Sequence, residues 1–179
     1  MTTAALVRGE AVTADEVDAR LAQVRASGFG ARLPHPATAD GRNARRWVTQ
    51  LVCAERLVAA ELGPPVAPPA PLAIERALAV GGVAAAVLAV RPDAIEVTAC
   101  PGVVEASVRG YYDRNPDRYA DRGVAYADAR EGIAATLRSA AHDRAFADWL
   151  ERRMALEVEL RPGFEHPADP HHADATHRH

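Results

Sequence analysis

The sequence predicts a mainly α-helical protein with a small two-stranded sheet that pairs a strand near each end of the helical body. Alanine is very frequent, which favours helices. Aromatic residues make up only 5% of the chain, so the core must consist mainly of Ala, Val and Leu. Apolar residues recur at helical spacing over long stretches, whereas the alternation typical of strands is confined to short segments near the two ends.

The N-terminal part of the sequence contains a pattern typical of a strand, followed by residues typical of the first turn of a helix. Residues 5–12 are predicted to form a short strand or a hairpin with its bend at Gly9. Thr13 and Glu16 follow at the spacing of a capping box, in which each side chain accepts a hydrogen bond from an otherwise unpaired backbone N–H group. A helix is therefore expected from Thr13 to Gly28, with an inner face formed by Val17, Leu21 and Val24.

Four further helices are predicted along the rest of the body. The second ends at Gly63 and two prolines, and the fourth ends at Asn115, which precedes Pro116. Their expected bounds are Asp40–Leu62, Leu72–Val90, Pro101–Asn115 and Tyr126–Ala155. Residues 156–160 then alternate apolar and acidic side chains, which predicts a strand that pairs with residues 5–12.

Composition excludes several classes of function. The net charge of −3 leaves no basic excess for phosphates, so we expect no nucleic-acid partner. The chain has no Lys, which excludes Schiff-base chemistry. The apolar run at residues 77–90 is too short to span a membrane, and residues 1–10 lack a secretory signal. Cys53 and Cys100 are predicted to be reduced thiols, and a cytoplasmic protein is expected.

The composition changes abruptly near Gly163, which predicts a body at residues 1–163 and a C-terminal tail at residues 164–179. The tail holds five of the seven histidines together with acidic residues and prolines. Imidazole and carboxylate groups are the usual ligands of Zn, Fe, Ni, Cu and Mn. The sequence therefore predicts a divalent transition metal held by the tail as it folds back, with the ligands His166, Asp169, Asp174, His177 and His179. A polar tail without a metal is the alternative.

Two further groups of residues are candidates for substrate binding. Arg42, Arg45 and Arg46 crowd the start of the second helix, where positive charge is unfavourable beside the helix dipole. Arg46 is therefore predicted to bind an anionic substrate or a carboxylate partner, the alternative being a solvated face paired with nearby acids. Tyr111 and Tyr112 could line a pocket, and core packing is the alternative for both.

The order of elements resembles the SurA-type chaperone module, the helical part of SurA and PrsA-like foldases. The resemblance is carried by residues 7–17, 44–57 and 103–119, and residues 132–160 look like the helix and strand that follow the isomerase domain in that family. The parvulin-type isomerase domain has no room between Tyr119 and Tyr126. The resemblance therefore implies a scaffold and peptide binding without prolyl isomerase activity.

These observations leave three functions open. The first is a metal-dependent enzyme that acts on a small organic substrate by lyase, hydrolase or oxygenase chemistry. The second is a cytoplasmic chaperone-like module that holds a peptide or a partner protein. The third is a metal carrier or sensor. A homodimer through the apolar third helix is also left open.

Overall fold

The computed structural model describes residues 2–26, 33–65 and 82–174 and confirms a mainly α fold. The last residues of the first predicted helix, 27–28, and the first residues of the third, 72–81, lie outside the described ranges. The helices are α1 (Ala14–Ala26), α2 (Ala39–Leu62), α3 (Gly82–Val90), α4 (Glu105–Arg114) and α5 (Tyr126–Glu157). The strands are β1 (Thr3–Val7), β2 (Glu10–Thr13) and β3 (Val158–Leu160).

The sheet has three antiparallel strands in the order β2-β1-β3, so the predicted count of two strands is wrong. Of the two alternatives for residues 5–12, the hairpin with its bend at Gly9 is confirmed, because Arg8 and Gly9 turn the chain with positive φ angles of 52° and 82°. The predicted pairing of the two ends of the body is confirmed: Ala5 lies opposite Leu160, and Val7 lies opposite Val158.

The helix ends follow the local signals in the sequence. The predicted capping box is present, since Thr13 N–H donates to Glu16 Oε2 at 2.8 Å and Glu16 N–H donates to Thr13 Oγ1 at 3.2 Å. At the start of α2, Thr38 Oγ1 accepts a hydrogen bond from Gly41 N–H at 3.0 Å. Gly63 ends α2 with a φ of 81°, as its position after the apolar stretch predicts.

The main core lies between the sheet and helices α1, α2, α3 and α5. Its largest fully buried side chains include Leu51 and Leu57 of α2 and Phe146 of α5. A second, smaller cluster joins α4 to the first half of α5 around Val108 and Ile133. Within the described ranges, no helix is both long and apolar enough to cross a membrane.

The two cysteines are free thiols in very different surroundings. Cys53 is fully buried in α2, and burial raises the pKa of its thiol to about 12. Cys100 is exposed and lies just before Pro101. Because the thiolate is the nucleophilic form, Cys53 serves as a small core residue and not as a reactive group.

Candidate functional site

Among the described residues, helices α2, α3 and α5 and strand β3 surround a cavity of about 700 Å³. Its wall is completed by residues 166–168, which follow the last strand. This volume falls in the range of small-molecule binding sites. The lining is largely apolar, and its helix and strand residues are Trp47, Gln50, Gly82, Val83, Ala84, Ala147, Leu150, Glu151, Met154, Ala155, Val158 and Leu160.

Gln50 is the buried polar group of this wall. Gln50 is only 3% exposed, and its Nε2 atom has no hydrogen-bond partner among the described residues. Leaving a buried N–H donor unpaired costs about 1–3 kcal/mol. The neighbouring Thr49, which is also buried, avoids this cost because its Oγ1 donates to the Arg45 carbonyl oxygen at 3.0 Å. The Nε2 atom itself is enclosed by protein, so Gln50 lines the cavity with its other atoms.

The position of Gln50 follows from the sequence of α2. Residues 48–54 of this helix are all buried, so α2 is surrounded by other elements along two turns. Thr49 and Gln50 interrupt an otherwise apolar run within that stretch. The sequence prediction missed Gln50, although a polar amide inside a helix that is buried on all sides is a usable signal of a site.

The C-terminal segment, which we define as Phe164–Asp174, folds back on the body and forms part of the cavity wall. Phe164 is buried in the main core, and the Arg45 guanidinium lies 4.6 Å from the centre of its ring. His172 is also buried, with Nδ1 accepting from Asp174 N–H at 3.1 Å and Nε2 lying 3.1 Å from the Pro167 carbonyl oxygen. The segment is therefore packed on the protein up to its last described residues.

Two arginines of α2 bind the carboxylates of this segment. Arg46, which is 4% exposed, donates to Asp174 Oδ2 at 2.9 Å and to Glu165 Oε2 at 3.4 Å. Arg42 donates to Asp174 as well, with a distance of 2.9 Å from its Nε atom. Hydrogen bonds from Arg42 and Arg46 hold the pKa of Asp174 well below its usual range. Asp174 is thus ionised at neutral pH, and its ion pairs are lost only as the pH falls through this lowered pKa.

The predicted metal ligands that the structure describes have different surroundings. His166 lines the cavity, and its Nδ1 atom accepts from Ala168 N–H at 3.1 Å. Asp169 Oδ1 accepts from His171 N–H at 2.9 Å, and Asp174 is bound by the two arginines. His177 and His179 lie outside the described residues. Within residues 2–26, 33–65 and 82–174, no three His, Cys, Asp or Glu side chains are grouped as a metal site requires.

The remaining predicted binding residues are placed apart from the cavity lining. Arg46 forms ion pairs with Glu165 and Asp174 of the same chain, and the predicted binding of a substrate by Arg46 stays a prediction. Tyr111 and Tyr112 pack in the second hydrophobic cluster. The Tyr112 hydroxyl donates to the Val124 carbonyl oxygen at 2.7 Å, and the ring stacks on Tyr119 at 5.4 Å between centroids. These contacts match the core-packing alternative for the two tyrosines.

A second cavity of about 340 Å³ lies against the other side of α2 and contains charged residues. Its charged groups all have hydrogen-bond partners, some within the lining and some outside it. Arg20 donates to Glu55 Oε1 at 2.6 Å, and Arg91 donates to the Gly63 carbonyl oxygen at 2.6 Å. The larger cavity is the better candidate site, because it has about twice the volume and its described lining contains fewer charged residues.

Comparison with known proteins gives one match. Residues 3–40 match a family of unknown function, DUF7158. No curated protein and no solved structure matches the chain. The matched region comprises the β1–β2 hairpin, α1 and the first residues of α2, and none of its described residues lines the larger cavity. The resemblance to the SurA-type module stays a prediction.

Proposed function

We propose that this protein binds a small, largely apolar organic molecule in the cavity between α2, α3 and α5. The observation that carries the proposal is a cavity of about 700 Å³ whose described lining is largely apolar, with Trp47, Gln50, Glu151 and His166 among the few lining residues that carry polar groups. Apolar walls supply affinity, and a few polar groups fix orientation, which is the usual design of a small-molecule site. The C-terminal segment contributes a wall, so its docking and ligand binding support each other.

The proposal is tested with ethylnaphthalene, a neutral apolar probe, added to the full chain and followed by its fluorescence. Saturable binding is expected. Ala147→Phe fills the cavity from α5 and is expected to weaken binding about tenfold or more. Ala140→Phe, an exposed position on the same helix, is the matched control and should leave the affinity unchanged.

Two results would contradict this proposal. The first is an absence of saturable binding by the folded wild-type protein. The second is equal binding by the two phenylalanine variants, which would place the probe elsewhere. The chaperone-like alternative is tested by adding an apolar heptapeptide as a competitor. Tight binding of the peptide without binding of ethylnaphthalene would favour that alternative.

A metal-dependent enzyme is the second candidate, and the position of His166 favours it. His166 lines the cavity, and its Nε2 atom makes no hydrogen bond with the described residues. A metal held by His166 together with residues 175–179 would lie beside the bound molecule, where an open coordination position could act on it as a Lewis acid. Zinc, iron, nickel, copper and manganese all suit this set of ligands.

Metal content provides the test of the second candidate. Elemental analysis is made on protein purified without a metal-affinity resin, for the full chain, for a chain ending at Asp174 and for His166→Asn. The expected result is about one equivalent of one metal in the full chain and a clear loss in both variants. The truncation is placed after Asp174 because a chain ending at Gly163 would lack Phe164, which packs in the core. Equal metal content in all three proteins would exclude this site.

A further inference from the structure

The face of α5 that lines the cavity carries one acidic side chain among apolar ones. The α5 residues of the lining recur at spacings of three and four, so they form a single face of the helix: Ala147, Leu150, Glu151, Met154 and Ala155. Glu151 lies in the middle of this face, one turn after Ala147 and one turn before Ala155. Its side chain therefore projects from the side of α5 that bounds the cavity, and it is exposed, so a ligand can reach it.

The carboxylate of Glu151 makes no hydrogen bond or ion pair with the described residues. On a helix, a side chain meets those three and four positions away, and Arg152, the next residue, does not face Glu151. The four helical neighbours of Glu151 include no base: Ala147, Asp148, Met154 and Ala155. Glu157, by contrast, forms an ion pair with Arg153 one turn before it. The negative charge of Glu151 is thus left without a cation in this part of the structure.

The other described walls supply no cation to balance this charge. None of the described lining residues is an arginine, and the chain has no lysine. Arg46 precedes the lining residue Trp47, but it is already bound to Glu165 and Asp174. The described lining therefore combines apolar walls with one unpaired carboxylate.

This combination selects among ligands by their charge. An ammonium group placed beside Glu151 would gain an ion pair with charge-assisted hydrogen bonds, and it would stay partly hydrated because Glu151 is exposed. A ligand carboxylate in the same place would meet a like charge, which is unfavourable. The apolar walls at the same time favour a hydrocarbon body.

We propose that the ligand is an amine with an apolar body, and that its ammonium group pairs with the Glu151 carboxylate at the cavity. The apolar body lies against the remaining lining of α2, α3 and α5. This inference rests on the proposed function, because it names the class of molecule that occupies the same cavity. It makes Glu151 the residue that determines specificity and assigns it no chemical step.

The test compares three probes that share a naphthalene ring and have substituents of nearly the same size: naphthylmethylamine, naphthylmethanol and naphthoate. At neutral pH the amine is a cation, the alcohol is neutral and naphthoate is an anion. The wild-type full chain is expected to bind the amine about threefold more tightly than the alcohol, as an exposed ion pair allows. Naphthoate should bind most weakly of the three.

Salt dependence gives a readout that needs no variant. Because dissolved ions screen an exposed ion pair, the ratio of the affinities for the amine and the alcohol should fall towards one as sodium chloride is added. A ratio that does not change with salt overturns the inference, since the preference would then not be electrostatic.

Glu151→Gln removes the charge while keeping the length of the side chain. Its affinity for the amine should fall to its affinity for the alcohol, and the latter should equal that of wild-type protein. Glu159→Gln is the matched control, because Glu159 is exposed and lies between the lining residues Val158 and Leu160 without lining the cavity itself. Side chains alternate along a strand, so Glu159 faces the other side of β3. The preference for the amine should survive in this control.

The outcomes separate the two proposals. Failure of all three probes and of ethylnaphthalene to bind wild-type protein overturns the proposed function and this inference with it. Binding of the alcohol or of naphthoate as tight as that of the amine leaves the cavity as a ligand site and overturns the inference. A preference for the amine that persists in Glu151→Gln, or that is lost equally in Glu159→Gln, does the same, because the selecting charge would then not be that of Glu151.

Discussion

Replacing Gly41 with alanine is expected to destabilise the protein, although alanine is a better helix former than glycine. A Cβ atom at position 41 would lie 2.0 Å from the His35 carbonyl oxygen and 2.7 Å from Pro36 Cα. These are backbone atoms, and Thr38 N–H and Oγ1 both donate to the same carbonyl oxygen. The loop must therefore move, and the N-cap of α2 is strained with it. We expect a net loss of about 2 kcal/mol or more in urea unfolding.

Gly132→Ala is the matched control for this prediction. Gly132 is an exposed residue of α5, and a Cβ atom there would meet nothing within 4 Å. Helix propensity then acts alone, and a gain of about 0.5–1 kcal/mol is expected. A Gly41→Ala protein that is as stable as Gly132→Ala would show that the loop before α2 is not packed against the helix as described.

Replacing Arg46 with methionine is expected to release the C-terminal segment. The variant removes the bonds from Arg46 to Asp174 and Glu165, and among the described residues the half-exposed Arg42 is then the remaining ion-pair partner of Asp174. Loss of hydrogen bonds to charged groups at a buried position is expected to cost about 1.5–3 kcal/mol, which is a decrease in Tm of about 3–12 °C for a chain of this length. Because residues 166–168 line the cavity, the affinity for ethylnaphthalene should fall as well.

Hydrogen exchange gives the direct measurement. Several amides of the segment donate hydrogen bonds in the folded protein, and three of them serve as reporters: Phe164 N–H, Asp169 N–H and Asp174 N–H. All three should exchange faster in Arg46→Met than in Arg138→Met, which removes an exposed ion pair with Glu131. Unchanged protection of these amides would mean that Phe164 and His172 hold the segment without the arginine.

Local signals in the sequence were sufficient for most of the fold. The capping box at Thr13 and Glu16, the stop at Gly63 and the pairing of the two ends were all predicted and confirmed. The strand count was not, because the turn at Gly9 is compatible with a bend as well as with a hairpin. The packing of a loop against a helix had no such signal: nothing near Gly41 in the sequence indicates that the His35 carbonyl lies against it.

The candidate site was harder to predict, because a cavity is a property of several elements together. The sequence identified Arg46 as a carboxylate-binding residue, and the structure pairs it with Glu165 and Asp174. It could not show that these partners come from the C-terminal segment. It also gave Gln50 no role: the amide within an apolar run is visible in the sequence, but only the structure shows that the residue is buried and that its Nε2 atom has no partner among the described residues.

The central position of β1 has a consequence for the protein as it is being made. Ala5 pairs with Val12 on one side and with Leu160 on the other, so roughly 150 residues separate its two neighbours. At about 5–20 residues per second, a ribosome needs on the order of 10 s or more to add them. For that interval the hairpin carries an open edge, which is a template for pairing with another chain. When the released chain refolds from denaturant, β3 is present from the start. The chain under synthesis is therefore more exposed to mispairing at the open edge of β1.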